Sequence, residues 1–353
     1  MSGGPVDWGL AEKVAVRVAR IEPIARSYHY DSIVPDFEEL TPLAEQLVAE
    51  ETGLTSRFGA ARPQVVDRAG WVRANIVSFQ QLLGPMLEQL DAPFVAPFDI
   101  ARHATRTATA VELGTLLGWM SSRVLGQYDA LGATGMGDEL LLVGPNVLAV
   151  EKRFGFPPRE FRLWLALHEV THRMQFTGVP WMRDHFVGLV HQIMSDIEPD
   201  ARRLLQILRL LTRPSEAKQV VTDAGLFGLF ATPAQRRAIA SVGGMMALLE
   251  GHGDIVMNRA GIHHVPSADR FHRALTNRRQ NVSPVSRLVR TALGVEAKMN
   301  QYEQGEQFIH AIEAVGGRRV VDRCWESPDR LPTLDEIRSP ERWLARVGVS
   351  SAA

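Results

Sequence analysis

The stretch Gly155-Phe156-Pro157-Pro158-Arg159-Glu160-Phe161-Arg162-Leu163-Trp164-Leu165-Ala166-Leu167-His168-Glu169-Val170-Thr171-His172 decides how the rest of the chain is read. Two histidines stand four apart, with a glutamate directly after the first. On an α-helix, positions i and i+4 share a face, so His168 and His172 can present two ring nitrogens to one metal ion. Glu169 lies about 100° around that helix, from roughly 3.6 residues per turn. Its carboxylate then sits beside the metal and not on it, within reach of a proton on a metal-bound water. With 11 histidines and 23 glutamates in 353 residues, the pattern arises by chance about once in fifty such chains.

The flanks predict a helix over residues 159–176. Pro157 and Pro158 suit a helix start, where a missing N–H costs little. No further Pro or Gly follows until Gly178 and Pro180, which mark the stop. One apolar stripe runs Leu163, Leu167, Val170, Met174; another runs Phe161, Trp164, Leu165, His168, His172. A helix apolar on two sides is central and buried. Histidines there need partners, because an unpaired polar group is costly. His-Glu-x-x-His is the signature that meets this need with zinc.

A catalytic zinc takes three protein ligands and a water. The metzincin continuation would require Gly at 175 and His at 178, where this chain has Gln175 and Gly178. The best third-ligand candidate lies in Met245-Met246-Ala247-Leu248-Leu249-Glu250-Gly251-His252-Gly253-Asp254, within a predicted helix at about 242–260. Its Glu-xxx-Asp spacing resembles that of the thermolysin-like zincins, the gluzincins. That resemblance implies Glu250 as the third ligand and Asp254 as the acceptor that orients a ligating histidine. Gly251 and Gly253 weaken an isolated helix by about 1 kcal/mol each, a cost that makes sense where another helix backbone must come close. His252 is a rival third ligand, with His185 and His191 behind it.

With these segments in hand, the chain resembles the actinobacterial zincin-like family once treated as a domain of unknown function. Its members are labelled hydrolases or metallopeptidases, or proteins associated with biosynthesis of the deazaflavin coenzyme. Further matching stretches are Val66-Asp67-Arg68-Ala69-Gly70-Trp71-Val72-Arg73-Ala74-Asn75 and Leu141-Leu142-Val143-Gly144-Pro145-Asn146. Glu296-Ala297-Lys298-Met299 with Gln301-Tyr302, Trp325-Glu326-Ser327-Pro328, and Leu331-Pro332-Thr333 complete the set. The resemblance implies a mainly α zincin-like fold with a small β element, and a zinc-dependent peptidase or hydrolase activity.

Composition is that of an ordinary globular protein, at 45% hydrophobic and 22% charged residues. A net charge of −1 argues against broad attraction to nucleic acid or to a membrane surface. Arg270, Arg273, Arg278, Arg279, Arg287 and Arg290 form one local basic excess, read as a solvated loop and helix. The single Cys324 precludes an intramolecular disulfide and fits a reducing compartment; beside Trp325 it reads as a buried structural thiol. No leader pattern opens the chain and no apolar run of about 18 residues would span a membrane, so the expected location is cytoplasmic.

Residues 1–120 read as an N-terminal helical region, with helices at Leu10–Ile21, Asp36–Glu51, Trp71–Leu90 and Ala108–Leu125, and with Asp67 as a cap for the third. Residues 121–353 read as the zincin-like catalytic region, the whole forming one two-lobed unit. Val124–Ala130 and Glu139–Val143 flank the Gly-rich 131–138 and are predicted to pair as a hairpin. In zincins an edge strand before the metal helix receives extended substrate; by resemblance Leu140–Val143 takes that role, and the equal alternative is a plain strand of a small sheet. Helix is expected over 181–211, a mobile connection from Pro214 to Gln235, and a linker at Arg278–Pro284. Helix is expected again over Val285–Ala314, and then a largely irregular tail ends in a short helix near Glu341–Val347.

The expected chemistry is a zinc held by His168, His172 and Glu250, whose bound water is activated by Glu169 to attack a carbonyl of a peptide or small amide substrate. Tyr302 is the first candidate to stabilise the oxyanion, since its segment also matches the family; His263, His264 and Arg259 are others. Two further readings stay open. One is a zinc-stabilised binding or regulatory protein without catalysis, and the other is a non-peptide hydrolase of coenzyme metabolism.

Overall fold

The structure is a computed structural model that describes residues 6–20, 30–90, 99–130, 138–194, 231–280 and 295–349. The chain divides into two compact units. One comprises Met1–Gly178 with Val256–His272, the other Val179–Ile255 with Arg273–Ala353. The architecture is mainly helical with one small sheet, in agreement with the sequence.

The first unit is built around three strands: β1 (Arg62–Val66), β2 (Gly126–Tyr128) and β3 (Glu139–Val143). Among the described residues the order is β1-β3-β2. β1 runs parallel to β3, pairing Arg62 with Glu139 through to Val66 with Val143. β2 runs antiparallel to β3, pairing Gly126 with Leu142 and Tyr128 with Leu140. The predicted hairpin is therefore present, although its connection, residues 131–137, lies outside the described residues. One expectation is corrected: Leu140–Val143 is no edge. β3 is the central strand, hydrogen-bonded on both sides and buried at every residue. A run of consecutive apolar side chains needs cover on both faces, which a central strand receives and an edge does not.

Leu141 and Val143 project to one face, where they join Ala15, Ala19, Trp71, Val72, Ile76 and Leu117 in a buried cluster. That layer consists of helices α1 (Trp8–Ala19), α3 (Arg68–Leu90) and α4 (Asp99–Ser121). Gly114 and Gly118 let α4 lie on the backbone of α1, since a Cβ at either would meet the carbonyls of Ala11 or Ala15. Asp67 caps α3 as expected, accepting from the N–H of Gly70 at 2.6 Å. The opposite face of the sheet is covered by α6 (Pro158–Gly178). α2 (Tyr30–Thr52) packs along α6, and α5 (Gly144–Phe154) links β3 to it. Neither β1 nor α5 was expected. α5 starts on Pro145 and stops at the left-handed Gly155.

Two buried arginines fasten α6. Arg162 forks onto Glu151 of α5 at 2.9 and 3.0 Å and reaches Asp36 of α2 at 2.6 Å. Burial alone would lower the pKa of this guanidinium, but the carboxylates of Glu151 and Asp36 outweigh it and hold the pKa above its ordinary value. Arg173, whose side chain is fully buried, forks onto Asp138 just ahead of β3. It also donates to Glu45 of α2 at 2.6 Å and to the carbonyl of Gly59 at 2.7 Å.

The second unit contains α7 (Met182–Met194), most of α8 (Pro233–Ala260), the end of α9 (Ala268–Gln280) and α10 (Val295–Gly316). Ala268–His272 of α9 belong to the first unit, where Phe271 packs against Phe156, Phe161 and Trp164. α8 and α10 cross at their glycines. A Cβ on Gly251 would collide with the backbone of Gly305 and Glu306, and one on Gly305 with the carbonyl of Ala247. The close approach expected of Gly251 is thus present. The tail is more regular than expected: α11 (Arg318–Asp322), two 3-10 turns at Arg323–Trp325 and Pro328–Arg330, α12 (Leu334–Arg338) and α13 (Pro340–Val347). Thr333 and Glu336 form a capping box on α12. The Trp343 indole donates to the carbonyl of Arg330 at 2.7 Å. The expected linker at Arg278–Pro284 is helical as far as Gln280. Its remainder, the connection at 214–230, and the helical expectations for 195–211 and 285–294 lie outside the described residues.

Two outcomes test this description. Arg173→Met leaves buried Asp138 and half-buried Glu45 without their cation, so the unfolding free energy is expected to fall by about 3–5 kcal/mol in denaturant titration. Cys324 is fully buried, and burial pushes its thiol pKa up. It should stay unreactive toward a disulfide reagent in the native protein and titrate fully once the chain is unfolded.

Candidate metal centre

The centre is built on α6. Between Phe161 and Thr177 every residue is buried except His168 and His172, which are half-buried. The two imidazoles thus form the one accessible spot on that stretch of helix. Their Nε2 atoms lie 3.2 Å apart, and their rings meet edge to face at 4.6 Å between centroids. At that spacing one ring must donate to the other, or both must share a cation. Zinc–nitrogen bonds of about 2.0–2.1 Å in a tetrahedron separate two ligand nitrogens by about 3.3 Å. The donor pair therefore fits a tetrahedral zinc. Glu250, on α8, adds an oxygen: one ligand atom from each of His168, His172 and Glu250 lies within 4.8 Å of the others. Two imidazoles and a carboxylate form a donor set suited to zinc.

Nδ1 of His172 donates to Oε1 of Gln175 at 2.9 Å. The sequence reading used Gln175 only to exclude the metzincin pattern. Its place three residues beyond His172, on the same helical face, was the available signal. Glu169 is buried at 5% exposure and its side chain lies against the backbone of β2. A Cβ built on Gly126 would fall 2.5 Å from Oε1 of Glu169 and 2.7 Å from its Cδ. Gly126 is the second residue that the sequence reading missed. It leaves the space in which the carboxylate lies, and in sequence it is one unremarked residue of the predicted strand 124–130. The strand holding it is itself anchored, since the Gln127 amide donates to Asn75 of α3 at 3.1 Å. Asn146 of α5 ties down the approach to β2 by donating to the carbonyls of Ser121 and Val124. The Arg68 and Asn146 motifs meet at 2.7 Å. The stretches that carried the resemblance thus include structural supports as well as site residues.

The other candidates are placed as follows. Asp254 is half-buried on α8, one turn beyond Glu250. His252, the rival ligand, is buried with its ring edge-on to Trp325 at 5.1 Å, and it does not belong to the ligand group. His185 packs edge-on to Trp181; burial lowers its pKa, partly opposed by Asp329. His191 is exposed on α7. His263 and His264 are exposed in the turn after α8, and Arg259 lies 3.8 Å from Glu51 of α2. Tyr302 falls on α10, but its side chain lies outside what the structure describes.

With this geometry in view, comparison with known proteins is decisive for the family. The zincin-like metallopeptidase family matches over residues 6–344. The chain belongs to that family. A similar architecture is found in a crystal structure from Chloroflexus aurantiacus, provisionally described as a hydrolase with a novel fold. It shares 30% sequence identity at a TM-score of 0.71, over 98% of this chain and 99% of that one. No curated protein matches. Family membership supports a hydrolase of the zincin-like metallopeptidase type. No described helix is long and apolar enough to cross a membrane.

The fit of Gly126 against Glu169 can be checked without any assay of activity. Gly126→Ala overpacks that contact and is expected to cost about 1–3 kcal/mol of stability. In a Glu169→Ala background the cost should largely vanish, and a double-mutant cycle in denaturant measures the difference.

Proposed function

We propose that the protein is a zinc-dependent metallopeptidase or closely related amide hydrolase, with His168, His172 and Glu250 as its zinc ligands. The observation that carries this reading is the convergence of three suitable ligand atoms on the half-buried face of an otherwise buried helix. A zinc held there would supply Lewis acidity and lower the pKa of a water it binds. Glu169 is the general base. Packed against Gly126, it is held beside the ligand face and takes the proton from the attacking water as the carbonyl is struck. It then returns that proton to the leaving amine. Asp254 is the outer carboxylate proposed to orient a ligating histidine. Tyr302 is retained as oxyanion donor.

The substrate is a peptide or small amide bound in extended form. Since β3 is central, the strand offered to substrate is β2, an edge among the described residues that touches Glu169 through Gly126. A substrate strand laid along Gly126–Tyr128 would carry its carbonyl past the general base. A cytoplasmic location accords with the lone thiol. The link to deazaflavin coenzyme metabolism remains an analogy of family alone. The closed structural-zinc reading would need a fourth protein ligand, and the position of His252 against Trp325 does not favour it.

Metal analysis with hydrolysis of a broad peptide library tests the proposal. His168→Ala and Glu250→Ala should each lose most of the bound zinc. Glu169→Gln should keep the zinc and lose at least about a hundredfold in rate. Full zinc affinity in Glu250→Ala would remove that residue from the ligand set. Zinc binding by the wild type with no cleavage of any peptide would turn the reading toward another amide.

A further inference from the structure

We propose that Gln175 sets the ring form of His172 and thereby the metal affinity of the centre. The proposal rests on the zinc reading above and assigns a positioning role that the sequence pattern did not suggest. Gln175 is fully buried on α6, three residues past His172. Its Oε1 faces Nδ1 of the imidazole at 2.9 Å. An amide oxygen only accepts, so this contact selects the form with the proton on Nδ1. Nε2 is then left with its lone pair, and Nε2 is the atom 3.2 Å from Nε2 of His168. The alternative form would carry a proton on Nε2, where the metal must bind.

Two physical features give the arrangement its character. Gln175 and His172 belong to one helix, so their spacing is set by helical geometry and needs no other element. Gln175 is also neutral. A carboxylate in its place would fix the same ring form but add a negative charge next to a site that already holds Glu250 and Glu169. The amide orients the ring without making it a stronger electron donor, which leaves a bound cation more electrophilic.

The experiment compares wild type, Gln175→Leu and Gln175→Glu in two measurements. The first is the nitrogen NMR spectrum of ¹⁵N-histidine-labelled, metal-free protein, recorded above the histidine titration range. The second is zinc affinity by chelator competition. Wild type and Gln175→Glu should both show His172 with a protonated Nδ1 and a bare Nε2, and Gln175→Glu should bind zinc at least as tightly as the wild type. Gln175→Leu should show a mixture of ring forms and bind zinc about 10–100-fold more weakly. A wild-type spectrum that places the proton on Nε2 overturns the proposal, whatever the metal does. So does a Gln175→Leu protein with unchanged ring form and affinity, or a loss of affinity in both variants with the ring form unaltered. Should Gln175→Leu fail to fold, the wild-type and Gln175→Glu spectra still decide the question. If the wild type binds no zinc at all, the zinc reading falls, and the spectra alone judge the role of Gln175.

Discussion

The guanidinium of Arg173 is the contact on which the metal helix depends. It sits next to His172 in sequence and is fully shielded from solvent. It binds Asp138 at the entrance to β3, Glu45 on α2 and the carbonyl of Gly59. A buried cation is tolerated only when its donors are satisfied, so these partners must all be in place together. Once they are, the register of α6 against the sheet is fixed, and with it the direction of both imidazoles. Arg162 does the same work toward the N-terminal end, through Glu151 and Asp36. The helix is thus clamped by charge at two points, with the histidines between or beside the clamps.

On the sequence side, α6 was legible because its signals agree: prolines at the start, a break at Gly178, apolar stripes between, and histidines at helical spacing. The cap at Asp67 and the β2–β3 pairing were legible for the same reason, being local. What escaped was non-local or disguised. β1 contains Pro63 and few apolar residues, and its partner β3 lies far along the chain, so no local pattern announces it. Gly144-Pro145 opens α5, a helix that the sequence reading did not assign. The error over Leu140–Val143 was avoidable on physical grounds, since three leucines and a valine in succession cannot alternate between core and solvent. At the candidate site, His168, Glu169 and His172 were evident from spacing and Glu250 from resemblance. Gln175 and Gly126 were not evident, because an amide and a glycine carry no chemistry until a neighbour is placed against them.

The second unit achieves its close packing by different means. Where α6 is held by charge, α8 is set against α10 by the absence of side chains at Gly251 and Gly305. Two backbones in direct contact leave little freedom to slide, which suits a helix whose next residue back is Glu250. The helix-weakening cost of the glycine is about 1 kcal/mol, small beside the loss that displacing Glu250 from the proposed ligand set would bring.

His172 and Glu250 are separated by about eighty residues of chain. An ion shared between them would act on the unfolded chain as a cross-link does, removing the entropy of a long open loop. For a loop of that length the effect resembles that of a disulfide, which a chain with a single cysteine cannot form within itself. A metal placed for chemistry would in this way also serve as the staple of the chain, and the protein would answer to chelators in its melting as well as in its catalysis.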